Sequence, residues 1–341
     1  MTKARELADV IGTQSTTENV LQGRRNLIIN GAMQVAQRGT SFSGVNSNNV
    51  YTLDRFAYQA GGGAAPVFTI TQQADAPSGF ANCYKIETTT ADSDMSTANY
   101  VQISYPFEGQ DLQQLNKGTS DAKEFTLSFW VKSNVTGTYA VLLWDSPNSR
   151  QNTASYTVNA SGVWEYKTIT FAGDTTGTID NDSTVGLEIK FVLGVGTDYT
   201  GGSEGPSAHS GNTQSYAANH AVNVAGIVGN TWQITGVQLE VGTVATPFEH
   251  RSYGEELALC QRYYEKRVVR AASSSWGLGS SETLNRTFNV TKRAAPTISY
   301  TGSWGGTTPG ANGGNTDSMY WQTTSSFYSD NTATEIFDAE L

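Results

Sequence analysis

Cysteine is nearly absent from this chain of 341 residues, Cys83 and Cys260 being the only two. Two distant cysteines exclude a disulfide framework, and both read as buried free thiols, since cysteine is among the residue types most often found inside. Charge is also scarce, at 15% of residues, and carries a formal net charge of -10. That balance excludes the clustered lysines and arginines that grip nucleic-acid phosphates, and it argues against attachment to anionic lipid. No stretch reaches the ~20 apolar residues of a membrane span, and the first twelve residues lack the apolar core of a secretory signal. His209, His220 and His250 have no cysteine or second histidine at ligand spacing, so all three read as surface or turn residues and no metal or cofactor is expected. Neither a G-x-S-x-G elbow nor a phosphate-binding glycine loop occurs, and no period of twenty-odd residues marks a parallel β-helix.

What is there is glycine, 35 residues against 8 prolines, with aromatics at 11%. Ser, Thr and Asn stand where Lys and Glu usually do, a turn-rich, all-β style of composition. Phe125, Leu127, Phe129 and Val131 alternate with polar residues and Trp130, which predicts a strand with one core face and one face for solvent or ligand. Val185 to Leu193 repeats the pattern against Gly186, Glu188 and Lys190, while Tyr139 to Trp144, Val163 to Phe171 and Leu27 to Ile29 are further expected strands. Turn clusters separate them, so the fold class is an antiparallel β-sandwich. Thr197 to Gly226, rich in Gly and Ser, reads as a surface excursion.

A strand, a hinge and a helix follow one another from Thr231 to Tyr264. The apolar phase slips at Thr235-Gly236, which predicts a β-bulge. Pro247 imposes an extended approach, and Ser252 with Glu255 matches a capping box. Leu257, Cys260 and Tyr264 recur at helical spacing and form an expected interdomain joint. At the other end Ala4, Leu7, Ala8 and Ile11 line one face of a short N-terminal helix, too short to be stable without a partner. Beyond the joint, Thr287 to Val290 and Pro296 to Tyr300 read as strands, and residues 302–314 as a loop. The four expected regions are a helix and connector at 1–25, the sandwich at 26–250, a linking helix at 251–270 and a small β domain at 271–341.

The paired carboxylates Asp92/Asp94 and Asp180/Asp182 sit in solvating turns and read as turn formers rather than glycosidase acids. Tryptophans are the better candidates, because sugar faces stack on indole while neutral amides and hydroxyls supply hydrogen bonds. Trp144, Trp276, Trp304 and Trp321 stand beside turn residues and are the candidate carbohydrate contacts. Trp130, Trp164 and Trp232 fall within strands and read as core or inter-strand packing.

Several words of this sequence are together specific: Gln238-Leu239-Glu240, Thr246-Pro247-Phe248-Glu249 and Cys260-Gln261-Arg262-Tyr263-Tyr264. With the opening Asn26 to Gln34 and Tyr51 to Phe56, and the closing Asp338-Ala339-Glu340-Leu341, they make nearly the whole chain similar to tailed-phage fibre and appendage proteins with a carbohydrate-binding-module-like jelly roll. The resemblance implies a homotrimeric, non-enzymatic virion protein of the tail, assembled in the host cytoplasm and released by lysis. It also implies attachment to other tail proteins through residues 1–25 and a part in recognising host polysaccharide. A connector that binds only virion proteins is the alternative, and a glycan-degrading tailspike the third. Related jelly rolls often hold calcium between an acidic opening and the last strand; here Asn30 to Gln34 offers a neutral amide instead, leaving Glu240 and backbone carbonyls.

Overall fold

A computed structural model describes residues 24–209, 215–268, 272–273, 282–301, 304–306, 310–323, 327–329 and 334–341. Ala4, Leu7, Ala8, Ile11 and Trp276 lie outside these residues. In chain order the strands are β1 (Ser41–Val45), β2 (Val50–Tyr51), β3 (Ala57–Gly61), β4 (Val67–Gln73), β5 (Cys83–Thr90) and β6 (Tyr100–Glu108). They continue as β7 (Phe125–Ser133), β8 (Gly137–Asp145), β9 (Arg150–Val158), β10 (Glu165–Phe171), β11 (Val185–Val195), β12 (Gly205–Ala208) and β13 (Thr231–Val241). These form the two antiparallel layers of a jelly-roll sandwich, as the alternation predicts. One layer runs β1-β4-β5-β13-β7-β10, the other β12-β9-β8-β11-β6-β3-β2.

Period-2 patterning explains which side chains fill the space between the layers. Phe125, Leu127, Phe129 and Val131 of β7 face Ile189, Phe191 and Leu193 of β11, and all are buried. Phe129 meets Phe191 and Tyr156 edge to face, and the Trp232 indole donates to Tyr156 Oη at 3.1 Å. Burying each such ring is worth roughly 1.5–3 kcal/mol.

The slip in β13 is a bulge, with register broken between Thr235 and Gln238. Gly236 has φ +62°, and a Cβ there would stand 2.6 Å from the Phe80 ring, so a side chain would be strained and would have to displace that ring. Leu27 to Ile29 is not a strand. The segment lies along the edge of β13 that β5 leaves free, bonded by Leu27 N to Leu239 O at 2.9 Å and Val237 N to Gly31 O at 3.0 Å. Two bonds make no ladder, but they bury the backbone. Asn30 closes the turn on itself, its side chain bonding Val35 N, Val35 O and Asp54 O. Glu240 accepts from Thr246 N, Thr246 Oγ1 and Gln238 Nε2.

Other expectations need correction. β10 starts at Glu165, so Trp164 lies just ahead of the strand; of the three tryptophans expected in core or inter-strand packing, Trp232 is core, Trp130 packs across strands on Tyr166, and Trp130 and Trp164 are half-buried. His220 is buried, not a surface residue, and its Nδ1 accepts the Ala140 amide at 3.1 Å.

The capping box at Ser252 and Glu255 is formed, and α1 (Tyr253–Gln261) follows it. The helix ends before Tyr264, which begins β14 (Tyr264–Val268). Two turn residues, Arg262 and Tyr263, separate them, so Leu257 and Cys260 lie on the helix and Tyr264 on the sheet. Then come β15 (Ala272–Ser273), β16 (Glu282–Thr287), β17 (Thr297–Thr301) and β18 (Trp304–Gly306). β19 (Gly310–Gly314), β20 (Ser318–Thr323), β21 (Phe327–Ser329) and β22 (Thr334–Asp338) end the chain's elements. The expected loop at 302–314 therefore contains two short strands, and the expected strand at Thr287 to Val290 ends at Thr287. Three small sheets result, β14-β22-β17, β15-β21-β18 and β16-β20-β19.

Candidate functional site

β6 and β11 turn Ile103, Tyr105, Ile189 and Phe191 inward, so Gln102, Ser104, Glu188 and Lys190 point to the outer face of the seven-stranded layer. The excursion after β11 folds back over part of that face. Tyr216 and Ala217 pack on Ala140, Leu142 and Val192, which is why this Gly/Ser-rich segment carries buried residues. What it leaves uncovered is a cleft of about 340 Å³. Asn48 and Asn49 from the β1–β2 turn, Gln59 of β3, Tyr100 of β6 and the Glu188/Lys190 pair of β11 line it.

The cleft is wired from below. Tyr216 Oη donates to Gln102 Oε1 at 2.9 Å, Gln102 Nε2 to Gln59 Oε1 at 3.0 Å, and Ser104 Oγ to Glu188 Oε2 at 2.7 Å. Tyr100 lies across from Gly61, where a Cβ would come within 2.5 Å of its ring, so the glycine seats the ring. Lys190 is 92% buried by residue area, the complement of its 8% exposure. Its Nζ stands 3.8 Å from Glu188 Oε1, 5.2 Å from the Trp144 ring centroid and 6.0 Å from that of Tyr216. Burial pulls the ammonium's pKa down, and Glu188 partly restores it. Glu188 offers acceptors and Lys190 donors beside neutral amides, so the lining is balanced in charge and rich in hydrogen-bonding groups. Such a surface suits a polyhydroxylated, uncharged ligand.

Of the predicted contacts, Trp144 belongs to this neighbourhood but not as a free platform. It is half-buried in β8, edge-on to His209 at 4.5 Å and to Tyr216 at 5.8 Å, and acts as a wall behind Lys190. Burial and the nearby Lys190 both push the His209 pKa down. Trp304 and Trp321 fall on β18 and β20, in two different small sheets. Tyr100, Gln59 and Gln102 were not singled out by the sequence, and Lys190 was read only as an outward polar position of its strand. The signal available was the polar set Glu188 and Lys190 facing away from the core along β11.

At the joint, Cys260 is fully buried and Leu257 half-buried. Tyr264 carries the Arg38 guanidinium 3.7 Å from its ring centroid, and its carbonyl accepts from Gln37 Nε2 at 2.7 Å. A second, enclosed space of about 20 Å³, beside Leu115, Lys117, Asp145 and Leu187, has room for about one water. Among the described residues no three His, Cys, Asp or Glu side chains gather as a metal site.

No family model and no curated protein matches this chain. Solved structures do. A domain of bacteriophage CBA120 tailspike protein 4, described as enzymatically active, matches at 12% identity and TM-score 0.35, over 64% of this chain and 21% of that one. The chain thus spans about a fifth of the tailspike chain. A family 4 carbohydrate-binding module matches at 14% identity and TM-score 0.33, over 62% of this chain and 98% of that one. A family 11 module of a Clostridium thermocellum cellulase matches at 14% identity and TM-score 0.31, covering 59% and 96%. At these scores the likenesses say nothing about what this chain binds.

Proposed function

We propose that the protein is a homotrimeric phage virion appendage, of the tail-fibre kind, whose sandwich holds neutral host-surface polysaccharide in the outer-face cleft. The observation that carries the binding role is the Lys190 ammonium, nearly buried among rings yet lining an open cleft with one loose carboxylate contact. A buried cation so placed gains from ligand oxygens that complete its hydrogen bonds. The virion role rests on the sequence words around Gln238, Thr246 and Cys260, and residues 1–25 would dock the trimer to other tail proteins. Each cleft would bind weakly, and three linked copies would raise avidity.

Hydrolysis fits the cleft poorly. Both stereochemical routes to glycoside cleavage use two carboxyl groups flanking the bond, and Glu188 supplies the single side-chain carboxylate in the lining. The test is a glycan array probed with purified protein, accompanied by an assay for new reducing ends and a mass measurement. Retention of neutral glycans by a trimer, weakened in Tyr100→Ala and without released sugar, is expected. A protein that ignores glycans but assembles onto tail proteins through residues 1–25 would return the connector reading, and released oligosaccharide the enzyme.

A further inference from the structure

The six-stranded layer has an outer face with no part in the cleft, and it carries aromatic rings that the core does not use. On adjacent strands at its edge, Tyr166 of β10 sits opposite Trp130 of β7, with ring centroids 5.3 Å apart and planes at 48°. Trp164 stands just before β10 and lies on the same face, beside the outward-pointing Lys132 of β7. Tyr166 is 45% exposed, and both tryptophans are half-buried. Single exposed rings are ordinary, whereas a ring pair with a third ring on the same face is the kind of patch that binding surfaces use.

The polar groups within the strip decide what kind of partner it fits. Lys132 Nζ donates to Asp75 Oδ2 at 2.6 Å and lies 5.8 Å from the Trp164 ring centroid, while the Trp164 indole faces Asp75 Oδ1 at 3.5 Å. The Lys132 bond holds the Asp75 carboxyl below its usual range, favouring the carboxylate. Thr168, which is exposed, adds a hydroxyl at the next register position beyond Tyr166. Covering this strip with another protein's apolar surface would strip water from an ion pair without replacing its hydrogen bonds. A sugar chain covers the rings with its C–H faces and brings hydroxyls that both donate to Asp75 and accept from Lys132. The pair is neutral overall, so no ligand charge is called for.

We infer that Trp164, Tyr166 and Trp130 form a second polysaccharide-binding surface, on the sandwich face opposite the cleft, for an uncharged glycan. The inference rests on the polysaccharide reading of the protein but shares no residue with the cleft. Two faces on one subunit would let each copy hold two strands of a host polymer, or one strand wrapped around its edge.

The test is affinity electrophoresis of the whole protein through gels holding soluble neutral β-glucan, β-galactan or xylan, with mass by light scattering in parallel. Tyr166→Ala, at an exposed site, and Trp130→Ala are compared with the cleft variant Tyr100→Ala. We expect each strip variant to weaken retention about tenfold in Kd, about 1.4 kcal/mol, with unchanged mass. Tyr100→Ala should leave a residue of binding that the added Trp130→Ala abolishes. Retention equal to wild type in both strip variants overturns the inference, as does a fall in mass with retention unchanged, which would assign the strip to contact between copies. If Tyr100→Ala alone abolishes retention, the strip falls and the cleft stands; if wild type is retained by no glycan, both fall.

Discussion

Arg55 and Glu340, 285 positions apart, form a buried ion pair that fastens the end of the chain to the sandwich. The two side chains are 1% and 3% exposed. Arg55 also donates Nη2 to Pro106 O at 2.6 Å and lies 3.5 Å from the Tyr263 ring centroid, while Arg38 reaches Glu340 and Asp338 at 3.3 Å each. Strand β22 is thereby tied to β6 and to the residues just after α1.

Removing Arg55 leaves the buried Glu340 with only the longer Arg38 contact, and breaking a buried pair costs up to about 3–5 kcal/mol. Arg55→Met should therefore lower stability by that order in denaturant titration. Arg55→Met with Glu340→Leu should recover much of it, because two apolar groups leave no orphan charge. A single variant as stable as wild type would remove the pair from the account.

The cleft makes its own prediction through Gly61. Gly61→Ala places a methyl into the Tyr100 ring and must displace it, so glycan affinity should fall about tenfold, ~1.4 kcal/mol, with little change in melting. Lys190→Met, which keeps the stem and deletes the ammonium, should weaken binding similarly. Calorimetric titration with whichever glycan the array selects reads both; unchanged affinity in both variants would move the site elsewhere.

His220 predicts a pH dependence. Burial lowers its pKa from 6.5 to about 4, so the fold refuses a proton that the unfolded chain accepts. The stability this gives is present above pH 6.5 and is lost as pH falls from 6.5 through about 4. The full difference is about 3 kcal/mol at 1.36 kcal/mol per unit. His220→Gln, whose amide oxygen can still accept from Ala140, should flatten that part of the stability curve. Parallel wild-type and variant curves across the window would contradict it.

Gly236→Ala tests the bulge. A positive φ costs an L-residue roughly 1–2 kcal/mol, and the contact with Phe80 adds an overpacking cost of about 1–3 kcal/mol. Adding Phe80→Ala should relieve the second part but not the first. Thermal melts of the single and double variants separate them.

Much of the sandwich was legible because a buried sheet face imposes period 2 on its strands, as in β7 and β11. The bulge and the capping box were legible for the same local reason, a broken phase and a matched pair of side chains three residues apart. Leu27 to Ile29 misled because an apolar run shows burial without showing hydrogen-bond partners. Tyr264 misled because a heptad-like spacing can cross a helix end. The strands at 304–306 and 310–314 were hidden by glycine, which marks turns and tolerates strands alike.

The sequence by itself determined an antiparallel sandwich of alternating strands, a glycine-dependent bulge and a capped helix, because backbone preference and side-chain period act over a few residues. Tertiary structure decided which polar faces came together. Tyr100, Glu188 and Lys190 meet only once β6 and β11 pair, and Trp130 meets Tyr166 only across β7 and β10. Arg55 finds Glu340 only when the last strand returns to the sandwich. These are long-range pairings, whose partners no local pattern encodes, and both proposed binding surfaces are made of them.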